Sequence, residues 1–191
     1  MFLSKMIMKI FIIILLKMWN GEHDMKEDNS IIGWTDEMIE KMRSFFLPYY
    51  KSHIADLTRP YEGIEEMLDS LTAAGVELAI ASNKFQSGTE ELAEKLLGKY
   101  RFLKVLGQRE GCPTKPDPQI IKDVMSEMPD LKPEDVVYCG DSDVDMITGH
   151  NAGIRAIGVC WGFRGRAELE SCNPWMVVET PSEITEAIIS K

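Results

Sequence analysis

A chain of 191 residues with 45% hydrophobic and 27% charged content is long enough to bury one core and fits a single domain with a small appendage. Its 31 acidic against 21 basic residues give a net charge of -10, which argues against nucleic acid or an anionic membrane surface as partner, while a local pocket with a metal can still take a small anion. Cys112, Cys139, Cys160 and Cys172 are widely spaced with no C-x-x-C pair, so neither a zinc knuckle nor a redox motif is indicated, and reduced thiols in a cytoplasmic protein are expected.

The N-terminal "MFLSKMIMKIFIIILLKMW" is purely apolar only from Ile10 to Leu16. That is too short for a membrane span, and no small-residue cleavage site follows it. Residues 1–19 therefore read as an apolar segment able to serve as a buried strand. The polar "NGEHDMKEDNS" from Asn20 to Ser30 reads as a linker. "TDEMIEKMRSFFLPYYKSHI" then predicts a helix capped by Thr35, with Met38, Ile39, Met42, Phe45 and Phe46 forming a packing face and Pro48 kinking or ending it.

From Arg59 onward, strand-like and helix-like runs alternate. "GIEEMLDSLTAAG" predicts a helix, "VELAIAS" a strand, "SGTEELAEKLLG" a helix and "FLKVLG" a strand. The alternation continues with "DPQIIKDVMSEM", "DVVYCGD", "VDMITGHNAG", "RAIGVCWG", "RAELESC", "MVVE" and "SEITEAIIS". Strands separated by helices require right-handed parallel crossovers, which predicts a three-layer α/β/α sandwich around a doubly wound, Rossmann-like sheet. The expected domains are the apolar segment 1–19, a linker and helix over 20–58, and a core over 59–191.

In an open parallel sheet the ligand crevice lies beyond the carboxyl ends of the strands. "SNK" ends one strand and offers the Ser82 hydroxyl and Asn83 amide to phosphate oxygens. Lys115 sits in "GCPTKPDP", where Pro116 and Pro118 stiffen the loop and Asp117 can cap the next helix. "GDSDVD" places Asp141, Asp143 and Asp145 at one strand-to-helix turn. Capping would explain one aspartate. Two carboxylates converging on one point with room for water suit magnesium, held with the help of a substrate phosphate.

"ASNK", "TKPDP" and "GDSDVD" in this order resemble the haloacid dehalogenase-like hydrolases, and the accompanying "RPYEGIEEMLDSL", "LGQREG" and "VCWGFR" resemble their phosphoglycolate-phosphatase-like branch. The resemblance covers Arg59 to Lys191, and Thr35 to Leu57 resemble the later part of that branch's helical cap, which implies a reduced cap within 20–58. It implies a phosphoric monoester hydrolase acting on a small phosphorylated metabolite through an aspartyl-phosphate, with Mg2+ as cofactor. It also implies that Ser82, Asn83 and Lys115 hold the phosphoryl group, that Lys115 stabilises the reacting centre, and that Asp141 and Asp145 serve the metal. No oligomeric state is implied.

The family's strand followed by Asp-x-Asp-Gly-Thr, source of the nucleophile, is absent from the sequence. "KIFIIILL" offers a strand without carboxylates, and Asp24 and Asp28 come too late to replace them. A fragment or mis-started reading of an ordinary phosphatase explains this best. The alternative is a non-catalytic phosphate-binding or regulatory module. Either way the chain is expected to hydrolyse phosphate esters poorly.

Overall fold

The computed structural model describes residues 10–13, 35–56 and 58–189, without the side chains of residues 10–13, Asp36 and Arg43. The expected linker 20–30, with Asp24 and Asp28, and the apolar leader other than 10–13 lie outside the described residues. The chain divides into two compact units, Met1–Leu15 with Pro60–Lys191, and Leu16–Arg59. Residues 10–13 belong with the core, as a strand paired on both sides.

In the larger unit the elements run β1 (Ile10–Ile13), α2 (Ile64–Ala73), β2 (Glu77–Phe85), α3 (Gln86–Leu97), β3 (Phe102–Gln108), α4 (Gln119–Met125), β4 (Val136–Gly140), α5 (Asp143–Ala152), β5 (Arg155–Val159), α6 (Arg166–Ser171), β6 (Met176–Val178) and α7 (Pro181–Ile189); helix α1 (Asp36–Ser52) belongs to the smaller unit. The strands form one six-stranded sheet in the order β3-β2-β1-β4-β5-β6. All five pairings are parallel.

The reversal of strand order at β1 sends α2 and α3 to one face and α4, α5 and α6 to the other, given right-handed crossovers. Packing agrees: α2 lies against α7, while α4 contacts α5 and α5 contacts α6. The period-2 pattern of each strand divides the core accordingly. Ala79 and Ala81 of β2 with Val136 and Tyr138 of β4 pack with Ile120, Ile121 and Val124 of α4. Leu78, Ile80, Val137 and Cys139 alternate with them and are equally buried.

Two differences from expectation matter. Strand β2 does not end at Ser82 but runs to Phe85, with Phe85 paired to Gln108 past a register irregularity. The Gln86 side chain stitches that extension to β3, bonding Val105 O and the Gly107 N–H. Helix α1, described by itself, runs through Pro48 to Ser52. An interior proline costs about 3 kcal/mol. Here Ser52 Oγ donates to the Pro48 and Tyr49 carbonyls, and Tyr49 stacks on His53 at 4.1 Å, which support the turn beyond it. The Met and aromatic side chains expected to pack are instead exposed.

Candidate active site

Ile13 of β1 pairs with Ile80 of β2 on one side and Cys139 of β4 on the other. Ser82 and Asp141 each lie two residues further on, so they stand level at the carboxyl end of the sheet, about 10 Å apart across the width of β1. Lys115 arrives from the loop before α4. The sheet thus brings three of the sequence-predicted residues to one edge.

Asn83 does most of the tethering. Its Oδ1 accepts from the Lys115 N–H at 2.9 Å and its Nδ2 donates to the Lys115 carbonyl at 3.2 Å. This reciprocal pair fixes the Lys115 backbone to the end of β2, so Asn83 positions the lysine loop with the groups expected to meet phosphate. Ser82 Oγ accepts from the Lys84 N–H at 3.1 Å, and its own hydroxyl proton has no acceptor among the described residues. Asp117 Oδ1 accepts from the Gln119 N–H at the start of α4.

The Lys115 side chain is almost fully buried, and its Nζ donates to Asp145 Oδ1 at 2.7 Å and Tyr138 Oη at 3.0 Å. Tyr138 in turn donates to the same Asp145 oxygen at 3.0 Å. Burial, then the Asp145 charge, push the Tyr138 hydroxyl far above its ordinary range, so it stays a neutral donor. One of the three ammonium protons has no bond among the described residues.

Asp145, expected to serve the metal, has both carboxylate oxygens engaged in hydrogen bonds. Its Oδ2 accepts from Ser142 Oγ at 2.7 Å and from the Asp141 and Ser142 N–H groups, both at 3.2 Å. With both oxygens occupied and 1% exposure, it has no lone pair facing open space. Asp145 is the N3 half of a capping box with Ser142 on α5 and the counter-ion of Lys115. Gly140 makes room for it, since a Cβ there would lie 2.2 Å from Asp145 Cβ. Two of the three crowded carboxylates are thereby accounted for, because Asp143 joins the first turn of α5, where a negative charge is favoured.

Asp141 is the remaining one. The loop after β5 folds over it: the Phe163 N–H donates to Asp141 Oδ2 at 3.1 Å, and the Arg164 N–H to its carbonyl at 3.1 Å. Gly162 permits the approach, its missing Cβ falling 2.2 Å from Oδ2. Oδ1 accepts no hydrogen bond among the described residues. The Asp141 carboxyl is raised by burial and then by Asp145, with the Phe163 N–H and Lys115 pulling the other way. A half-buried carboxylate with one open oxygen fits magnesium held through a single protein carboxylate, water and a phosphate oxygen. Among the described residues no group of three acidic, histidine or cysteine side chains could hold a metal alone.

A raised carboxyl value makes Asp141 harder to ionise folded than unfolded. The unfolded chain loses the proton first, so stability falls as pH rises from the ordinary carboxyl range through the raised value, and stays lower at neutral pH. Asp141→Asn is therefore expected to melt higher than the parent at pH 7 in metal-free buffer, by roughly 0.5–2 kcal/mol. The difference should close below the ordinary carboxyl range. A lower melting point at pH 7 would refute the argument.

An open cleft of about 630 Å³ also lies between α2 and α7, walled by Tyr61, Trp161 and Glu62, Glu66, Glu179 and Glu186. It contains none of Ser82, Lys115 or Asp141, and its carboxylates would repel a phosphoester. The strand ends are the better site. Sequence reasoning missed Tyr138, Ser142 and the Gly162–Phe163 backbone. The S-x-x-D capping pattern at Ser142 was readable, whereas a tyrosine inside "VVYCG" looks like any core residue.

A family model described as haloacid dehalogenase-like hydrolase matches residues 4–159. Pyrophosphatase PpaX of Bacillus velezensis is 30% identical over 150 residues, covering 78% of this chain and 67% of that protein. Phosphoglycolate phosphatase of Vibrio parahaemolyticus is 28% identical, with 81% and 67% covered. A solved structure from Lactobacillus delbrueckii subsp. bulgaricus bearing the name phosphoglycolate phosphatase superposes with a TM-score of 0.75 at 31% identity, covering 82% of this chain and 65% of that one. The chain thus spans about two thirds of the length of these relatives.

Proposed function

The chain belongs to the haloacid dehalogenase-like hydrolases, and from that footing we propose that it binds a small phosphate monoester or diphosphate at the ends of β2, β1 and β4 with Mg2+, and turns it over poorly. One observation carries the reading. Ser82, Lys115 and Asp141 surround the end of a central strand whose continuation in sequence is Ile14, Leu15, Leu16 and Lys17, with no carboxylate among them.

The Ser82 hydroxyl donates to one phosphoryl oxygen and the third Lys115 ammonium proton to another, the latter bond strengthened by its charge. Asp141, with one oxygen fixed by the Phe163 N–H, would hold the metal. Bound Mg2+ supplies charge neutralisation for the phosphoryl group. No described side chain stands where an attacking carboxylate is needed, so the covalent step of the family is unsupported. Relatives named for phosphoglycolate and for pyrophosphate make both compounds the natural ligands to try. The non-catalytic reading, a phosphate and magnesium sensor, follows from the same geometry, and a cytoplasmic setting suits the buried, reduced Cys139.

Phosphate release from 2-phosphoglycolate and from pyrophosphate with Mg2+ is expected to be depressed by a factor on the order of 10⁶ relative to a complete catalytic set. Calorimetry should still detect inorganic phosphate binding that requires Mg2+ and disappears in Asp141→Ala. Vigorous Mg2+-dependent turnover by this chain would overturn the impaired reading. Equal phosphate affinity in parent and Asp141→Ala would overturn the site.

A further inference from the structure

Among the described residues, most of the exposed large hydrophobic side chains lie on α1: Met38 at 50%, Met42 at 45%, Phe45 at 72%, Phe46 at 44% and Tyr49 at 65% exposure. Met38, Met42, Phe45 and Tyr49 follow one another at steps of four, three and four, the seam of a two-helix coiled coil. A contiguous apolar stripe of this kind marks a binding surface.

The order of residues along the seam selects the occupant. Turned end for end about its midpoint, between positions 43 and 44, the helix sets Met38 opposite Tyr49 of a second copy and Met42 opposite Phe45. Every layer then pairs a thioether with an aromatic ring, a favourable contact, and Ile39 meets Phe46 on one flank. The same turn brings the acidic start of the helix, with Glu37 and Glu40, alongside the last turn that carries Lys51, and it opposes the two helix dipoles. Parallel order would set acid against acid and Met against Met.

At about 200 Å² for a large side chain, those exposures amount to roughly 550 Å² per copy. A symmetric pair would bury about 1,100 Å², at the low end of specific interfaces. We propose that α1 is a homodimerisation surface, docking antiparallel on α1 of a second copy of this chain through Met38, Met42, Phe45 and Tyr49. The proposal stands independently of the phosphate site.

Sedimentation velocity on the full chain from micromolar to hundreds of micromolar should show a reversible monomer–dimer equilibrium. Phe45→Glu should raise the dimer midpoint at least about 30-fold, while Phe163→Glu, at an exposed aromatic of the larger unit, should leave it unchanged. Under oxidation, Met38→Cys mixed with Tyr49→Cys should give a heterodimer joined through those two positions. Met38→Cys alone should not cross-link to itself there, because antiparallel order holds the two copies of position 38 about 16 Å apart. A parent chain that stays monomeric throughout, as it would if the stripe packed on its own core, overturns the proposal. So does an unchanged dimer in Phe45→Glu or a Met38–Met38 cross-link in the single variant.

Discussion

Lys115→Met is expected to lose about 3–5 kcal/mol of stability, a fall in melting temperature on the order of 10 °C for a chain of this size, together with all measurable phosphate affinity. The Lys115 and Asp145 side chains are 4% and 2% exposed and 2.7 Å apart. Removing the ammonium leaves a carboxylate that water cannot reach, still held by its capping bonds and by Tyr138. The neutral tyrosine can donate to it but cannot cancel its charge. Thermal denaturation at pH 7 and calorimetry with inorganic phosphate check the two halves separately. The double variant Lys115→Met with Asp145→Leu should recover part of the stability, since no buried charge remains, yet none of the binding. A single variant that melts like the parent would show that the pair carries no such burden.

Gly140→Ala is expected to be nearly as damaging, at about 3 kcal/mol or more. Its new methyl group would lie 2.2 Å from Asp145 Cβ, 2.4 Å from Cγ and 2.6 Å from Oδ2. None of these is the loose end of a flexible side chain. Asp145 is locked by Lys115, Tyr138 and Ser142, so relief requires breaking the capping box, the buried pair or the end of β4. Gly165→Ala is the control: it has nothing within 4 Å and a negative φ of -80°, and should change stability by no more than about 0.5 kcal/mol. Comparable melting of the two alanine variants would contradict the close approach.

The core was largely legible because its signals are local. Alternation in "VELAIAS" and "DVVYCGD", and glycines after α2 and α5, locate elements to within a few residues of those observed. Strand β2 overran its expected end because Asn83 and Gln86 use side-chain bonds to partners 32 and 21 residues away, which no local window contains. The same reason explains Asp145. Spacing shows that it can return towards Asp141, but only the approach of Lys115 across 30 residues decides that its oxygens are taken. The α1 stripe was readable as an apolar face, while what it faces depends on surfaces that a helical period does not encode.

The place of β1 in the sheet has a kinetic side. Strands β2 and β3 adjoin each other, as do β4, β5 and β6, so each set can assemble from chain segments close in sequence. Within the sheet the two sets are joined by Ile10–Ile13, which pair with residues 77–80 and 136–139. Closing such distant partners is slow, and until it happens each half-sheet carries a raw inner edge of unpaired amides and carbonyls. Four apolar residues therefore act as the keystone of assembly. The interval before they are captured is when this chain is most open to aggregation.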